Sequence, residues 1–147
     1  MKHVEQQLRE GGVDFDSAPK EHGTDLIARI GSNGHSEARK ECKIRISVNS
    51  QDRVNLYQKW KENIDLIVYV WNLTTTTADI YALSYAEAFA LLKERGHTKT
   101  ESWKDGGYSL KVGNCETRTW WSNHLSPYLM DGKRFRARIA SVCSSRN

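Results

Sequence analysis

Glu41-Cys42-Lys43-Ile44-Arg45-Ile46-Ser47-Val48 is the stretch on which the reading of this chain turns. Positions 42, 44, 46 and 48 are apolar, and positions 41, 43, 45 and 47 are polar. That period of two marks a β-strand with one face on a core. Side chains leave such a strand on alternating sides, so Glu41 and Lys43 project from the same face.

Upstream, residues 3 to 10 read as a short helix, with Val4 and Leu8 one turn apart and Gly11-Gly12 as its stop. A short strand is expected at 13 to 15, a loop from Ser17 to Gly23, a strand from Leu26 to Ile30, and a turn at Gly31 to Gly34. Downstream, Val54, Tyr57 and Trp60 or Lys61 turn over a common face and predict a helix from Asp52 to Glu62. Asp65 to Trp71 reads as a strand buried on both sides, and Ile80 to Leu83 as another after a Thr-rich turn. Ser84-Tyr85-Ala86-Glu87 is a capping box. It opens a helix with the apolar stripe Tyr85, Ala88, Phe89 and Leu92 and an end at Gly96. Beyond Gly96, a few short strands and a terminal helix around Trp120 to Met130 are expected.

The chain has 147 residues, which is one domain by size and enough to bury a core. Its longest apolar run, Leu66 to Trp71, is far short of the roughly 20 residues that span a bilayer. The first residues carry no apolar stretch like a signal peptide, so no membrane partner and a cytoplasmic location are expected. Cys42, Cys115 and Cys143 form no disulfide framework. No Cys-x-x-Cys or His-x-x-x-His spacing points to zinc, and no phosphate-cradling Gly-x-x-x-x-Gly-Lys-Ser/Thr loop occurs.

Net charge is +4, and Lys133, Arg134, Arg136, Arg138 and Arg146 at the C-terminal end face only Asp131. The excess points to a polyanionic partner; a solvated charged tail is the plainer alternative. If Lys133 to Arg138 is a strand, Arg134, Arg136 and Arg138 share one face in a row suited to phosphates. A charge-protected edge strand gives the same pattern. Trp103, Trp120 and Trp121 can stack on unpaired bases, although tryptophan more often packs in a core.

The chemistry is carried by Asp25, opening one strand, and by Glu41-x-Lys43 in the next. Two carboxylates on adjacent strands can hold Mg2+ through oxygen ligands while leaving positions for phosphate and water. The cation polarises a phosphoryl oxygen and acidifies the water. A lysine one pleat beyond the glutamate can orient that water or offset developing negative charge. Against this stands a simple surface ion pair of Glu41 with Lys43 or Arg45, beside a turn-capping aspartate.

The order helix, Gly23-Thr24-Asp25-Leu26-Ile27-Ala28, turn, Glu41-Cys42-Lys43, helix, apolar strand resembles the PD-(D/E)XK nuclease superfamily, over roughly residues 3 to 83. The resemblance implies an α/β, restriction endonuclease-like core with a central mixed sheet flanked by helices. It places that core at about residues 3–96 of a single domain, 1–147, with a decorated basic C-terminal region at 97–147. It implies Asp25 and Glu41 as metal ligands, Lys43 as the catalytic lysine, and Mg2+ as cofactor with Mn2+ able to substitute. The implied activity is a metal-dependent DNA endonuclease of a restriction, homing or recombination system. Cutting both strands favours a homodimer or higher symmetric oligomer. Many members carry a further acid on the first helix, for which Glu5 is a poor stand-in, and Cys42 stands where an aliphatic residue is commoner. The alternative is a catalytically inactive nucleic-acid-binding module with a nuclease-like fold.

Overall fold

The computed structural model describes residues 2–17, 25–30, 40–48, 53–95, 106–111 and 115–144. The loop expected up to Gly23, the turn at 31 to 34, the helix end at Gly96, and Trp103 and Arg146 lie outside them. In chain order the elements are α1 (Lys2–Glu10), β1 (Asp14–Ser17), β2 (Leu26–Ile30), β3 (Lys40–Val48), β4 (Arg53–Tyr57), α2 (Trp60–Asn63), β5 (Leu66–Trp71) and β6 (Asp79–Leu83). Then follow α3 (Tyr85–Glu94), β7 (Gly107–Lys111), α4 (Cys115–Leu125), a 3-10 turn (Ser126–Tyr128) and α5 (Gly132–Ser144).

Five strands form a mixed sheet in the order β1-β2-β3-β5-β6, and β4 pairs with β7 in a second, two-stranded sheet. β1, β2 and β3 make an antiparallel meander; β5 runs parallel to β3, and β6 antiparallel to β5. The architecture is α/β, a mixed sheet flanked by helices. Among the described residues no helix is long and apolar enough to cross a membrane.

The strand β5, between β3 and β6, shows why both faces of the sheet must be covered. All six residues of β5 are buried, as a strand covered on both faces requires. Leu66, Val68 and Val70 enter a first core with Val4 and Leu8 of α1 and Phe135 and Ile139 of α5. Ile67, Tyr69 and Trp71 enter a second core with Leu56, Trp60, Leu92 and Trp121. The alternation read in β3 holds: Cys42, Ile44 and Ile46 are in the first core, while Glu41 and Lys43 are exposed. The capping box is formed as read, with Glu87 N–H donating to Ser84 Oγ at 3.2 Å and Ser84 N–H to Glu87 Oε1 at 2.8 Å.

Three expectations are corrected. The helix expected from Asp52 to Glu62 is instead β4 followed by the four-residue α2. Val54 and Leu56 alternate inward in β4, and their strand partner, β7, lies some fifty residues downstream, out of reach of a local pattern. Between them Asn55 fastens β4 to the sheet: its Nδ2 donates to Ser47 Oγ at 3.0 Å, and its carbonyl accepts from the Tyr69 hydroxyl at 2.7 Å. Burial pushes the Tyr69 phenol well above its ordinary range, which keeps it a neutral donor. The terminal helix is two helices, parted at the Pro127 turn. Finally, Lys133 to Arg138 is not a strand but the first half of α5. Phe135 and Ile139, both fully buried, stand one helical turn apart.

α1 and α5 touch through glycine. α1 ends in a Schellman motif: Val13 N–H donates to Leu8 O at 2.9 Å and Gly12 N–H to Arg9 O at 3.0 Å, with Gly12 left-handed at φ +70°. A methyl group on the preceding Gly11 would run into the carbonyl oxygen of Gly132 at the start of α5. Gly11→Ala is therefore expected to lower the unfolding free energy by about 1–3 kcal/mol. A urea transition measures this, and an unchanged midpoint would show that the two helices part without cost.

Candidate functional site

Side chains on two antiparallel strands meet where the register pairs them. Leu26 pairs with Ile44, Ile27 with Lys43, Ala28 with Cys42 and Arg29 with Glu41. Asp25, one residue before Leu26, continues that ladder, its N–H donating to Ile44 O at 2.8 Å. Its opposite number is Arg45. Asp25 Oδ2 accepts the Ile46 N–H at 2.7 Å and lies 3.6 Å from Arg45 Nε.

The expected grouping of Asp25, Glu41 and Lys43 is therefore not brought to one point. All three belong to the face of the sheet opposite the first core, but Glu41 lies four positions back along β3 from Arg45. That is about 13 Å at roughly 3.3 Å per residue, too far for one ion to bridge. Glu41 instead pairs in register with Arg29. Arg29 is held protonated above its ordinary range by its hydrogen bond to Asp16, at 2.6 Å, with the charges of Asp16, Asp14 and Glu41 adding to it. Lys43, between the two carboxylates, is tied to Asp65 through its own main chain: its N–H donates to the side-chain Asp65 Oδ2 at 2.8 Å, and its carbonyl accepts from Asp65 N–H at 2.9 Å. Glu5 sits on α1, whose Val4 and Leu8 fill the first core, on the other side of the sheet.

Asp25 and Glu41 do not fit Mg2+ as a shared ligand pair. One carboxylate already accepts a backbone N–H and faces a guanidinium, and the other is a further two pleats away. Among the described residues no group of three or more His, Cys, Asp or Glu side chains is placed to hold a metal ion.

The C-terminal cations are likewise dispersed. Lys133 and Arg134 are exposed, and the Arg134 N–H is capped by Asp131 Oδ1 at 2.8 Å. Arg136 Nη1 reaches Gly11 O at 3.3 Å. Arg138 turns inward, pairs with Glu87, donates to Ala82 O at 3.3 Å and lies over the Tyr128 ring; burial lowers its pKa. A helix advancing about 100° per residue cannot align 134, 136 and 138 as a strand would. Trp121 is core, and Trp120 stacks on His124 at 3.9 Å with Arg95 above it.

A different surface gathers cations and rings, and it was hidden inside the segment read as helix. Around Tyr57-Gln58-Lys59-Trp60-Lys61, Arg45 lies over the Trp60 ring at 5.7 Å and Lys59 over the Tyr57 ring at 5.8 Å. Tyr57 and Trp60 meet edge to face at 4.9 Å, and Tyr57 is 38% exposed. Beside them a cavity of about 450 Å3 opens between α2 and α3, lined by Gln58, Lys61, Tyr85, Ala86 and Phe89. The signal available in the sequence was basic residues interleaved with aromatics at 57–61.

Searches against protein-family models, curated proteins and solved structures gave no match for this chain. The role assigned to Asp25 is directly measurable. Asp25→Ala strips an acceptor from the Ile46 N–H and is expected to cost about 1–3 kcal/mol of stability, with Asp25→Asn costing less. Adding Mn2+ should leave the melting temperature of the unaltered protein where it was. A rise that disappears in Asp25→Asn would place a metal at this carboxylate after all.

Proposed function

We propose that this chain is a nucleic-acid-binding module on a restriction endonuclease-like sheet, in which Arg45 supplies the positive charge beside Asp25 that a metal would otherwise bring. The reading rests on one observation, Arg45 standing opposite Asp25 with its guanidinium 3.6 Å from the carboxylate. Two further features support it. A helix, a three-strand antiparallel meander and a strand parallel to the third keep part of the element order on which the nuclease resemblance was drawn, although the helix expected before the apolar strand is instead β4 with the four-residue α2. The surface running from Arg45, which lies over the buried Trp60, to Tyr57, Lys59 and Lys61 combines positive charge with an exposed aromatic ring, which is what binding of a phosphate backbone and its bases requires. The Mg2+-dependent endonuclease reading needs Asp25 and Glu41 within reach of one ion, a condition the strand register does not meet. A homo-oligomer was called for by two-strand cleavage and is not needed by a binding module.

Fluorescence anisotropy with labelled single- and double-stranded oligonucleotides tests the proposal. Affinity should fall steeply between about 50 and 200 mM salt and be the same in EDTA as in Mn2+. Each of Lys59→Gln and Lys61→Gln should reduce the slope of log affinity against log salt by roughly 1. Glu41→Gln should leave binding intact. Mn2+-dependent cutting that Lys43→Ala abolishes would restore the nuclease reading, and the absence of any retention at low salt would remove nucleic acid altogether.

A further inference from the structure

The cavity between α2 and α3 has a composition that the binding proposal does not by itself call for. Tyr85 and Phe89, one turn apart on α3, stack with ring centroids 6.2 Å apart and planes 16° from parallel, and both line the cavity as its aromatic wall. The same cavity is lined by a carboxamide, Gln58, and an ammonium group, Lys61. The volume of about 450 Å3 falls within the roughly 300–1,000 Å3 typical of small-ligand sites. An aromatic wall, one group able both to donate and to accept, and one cation are what an unpaired nucleotide asks for. The base stacks, its edge hydrogen-bonds, and its phosphate meets the ammonium.

The nearest acid on α3, Glu87, is spent elsewhere: it caps the helix through Ser84 N–H and pairs with Arg138. The site's charge therefore complements a phosphate. An apolar peptide would use the wall but has no need of Lys61. A base-paired strand cannot enter, because its rings are stacked inside the duplex.

We infer that this cavity takes one unpaired nucleotide, its base stacked on Tyr85 and Phe89, its edge read by Gln58 and its phosphate held by Lys61. The site gives the module a preference for single-stranded over duplex nucleic acid. This rests on the nucleic-acid reading above and adds the strandedness of the ligand.

The test compares an oligothymidylate, the same length of abasic sugar-phosphate strand, and a duplex, each bound to the full chain. Phe89→Ala should weaken oligothymidylate binding by roughly 5- to 150-fold, the range of one lost base stack. Binding of the abasic strand and the duplex should stay within about twofold. Phe89→Leu, which keeps apolar volume for folding but no ring, should show the same selective loss, and a melting curve checks that it is folded. Gln58→Ala should lower oligothymidylate affinity alone, without changing its salt slope. If Phe89→Leu weakens all three ligands equally, or none, the cavity is not a base site even though the nucleic-acid reading stands. If no ligand binds the unaltered chain, that reading falls first. Self-association that Phe89→Leu abolishes would assign the wall to a second copy of the chain and overturn the inference.

Discussion

A carboxylate and its neighbour on an antiparallel strand are chosen by register, and with Leu26 set against Ile44 the neighbour of Asp25 is Arg45. Everything distinctive about the exposed half of the sheet follows from that pairing. The guanidinium is shared between the Asp25 carboxylate and the face of Trp60, so it ties β2, β3 and α2 together. It also leaves Glu41 to Arg29 and the acidic end of β1, where opposite charges alternate along the sheet instead of gathering into a cluster of one sign. A metal centre needs like charges concentrated, and this sheet spreads them.

Where the sequence carried a period, it was legible. The alternation of Cys42 to Val48 gave the two faces of β3, the unbroken apolar run of Leu66 to Trp71 gave a strand buried on both sides, and Ser84 with Glu87 gave a helix start. What was not legible was register. Knowing that Asp25 and Glu41 lie on one face of adjacent strands does not say which positions face each other. A slip of four positions preserves every face assignment and exchanges a carboxylate for a guanidinium. β4 was misread for a related reason, because Arg53 to Tyr57 becomes a strand by pairing with the distant Gly107 to Lys111. In α5 the helical spacing of Phe135, Ile139 and Val142 is interleaved with charges whose alternation imitates a strand.

The two faces of the sheet are put to different uses. The first-core face is closed by α1 and α5 and is apolar throughout the described residues that line it. The second is closed only in part: β4, α2, α3 and α4 cover Ile67, Tyr69 and Trp71, and stop short of Glu41 and Lys43. The boundary of that cover is where Tyr57 comes to the surface, and where Arg45 lies over the buried Trp60. A sheet edge left unroofed beside a rim of rings is a natural place for function, since side chains there are held by packing on one side and free to touch a ligand on the other.

The meeting of α1 with α5 has a consequence for how the molecule is made. Arg136 and Gly11, bonded to each other, are 125 positions apart in the chain. The strands whose Ile44, Leu66 and Val68 line the first core are complete long before α5 is translated, and at about 5–20 residues per second the gap lasts on the order of several seconds. During that interval the part of the sheet's apolar face that α5 covers is wet. Closing the first core therefore waits on α5, however much of the sheet has already formed.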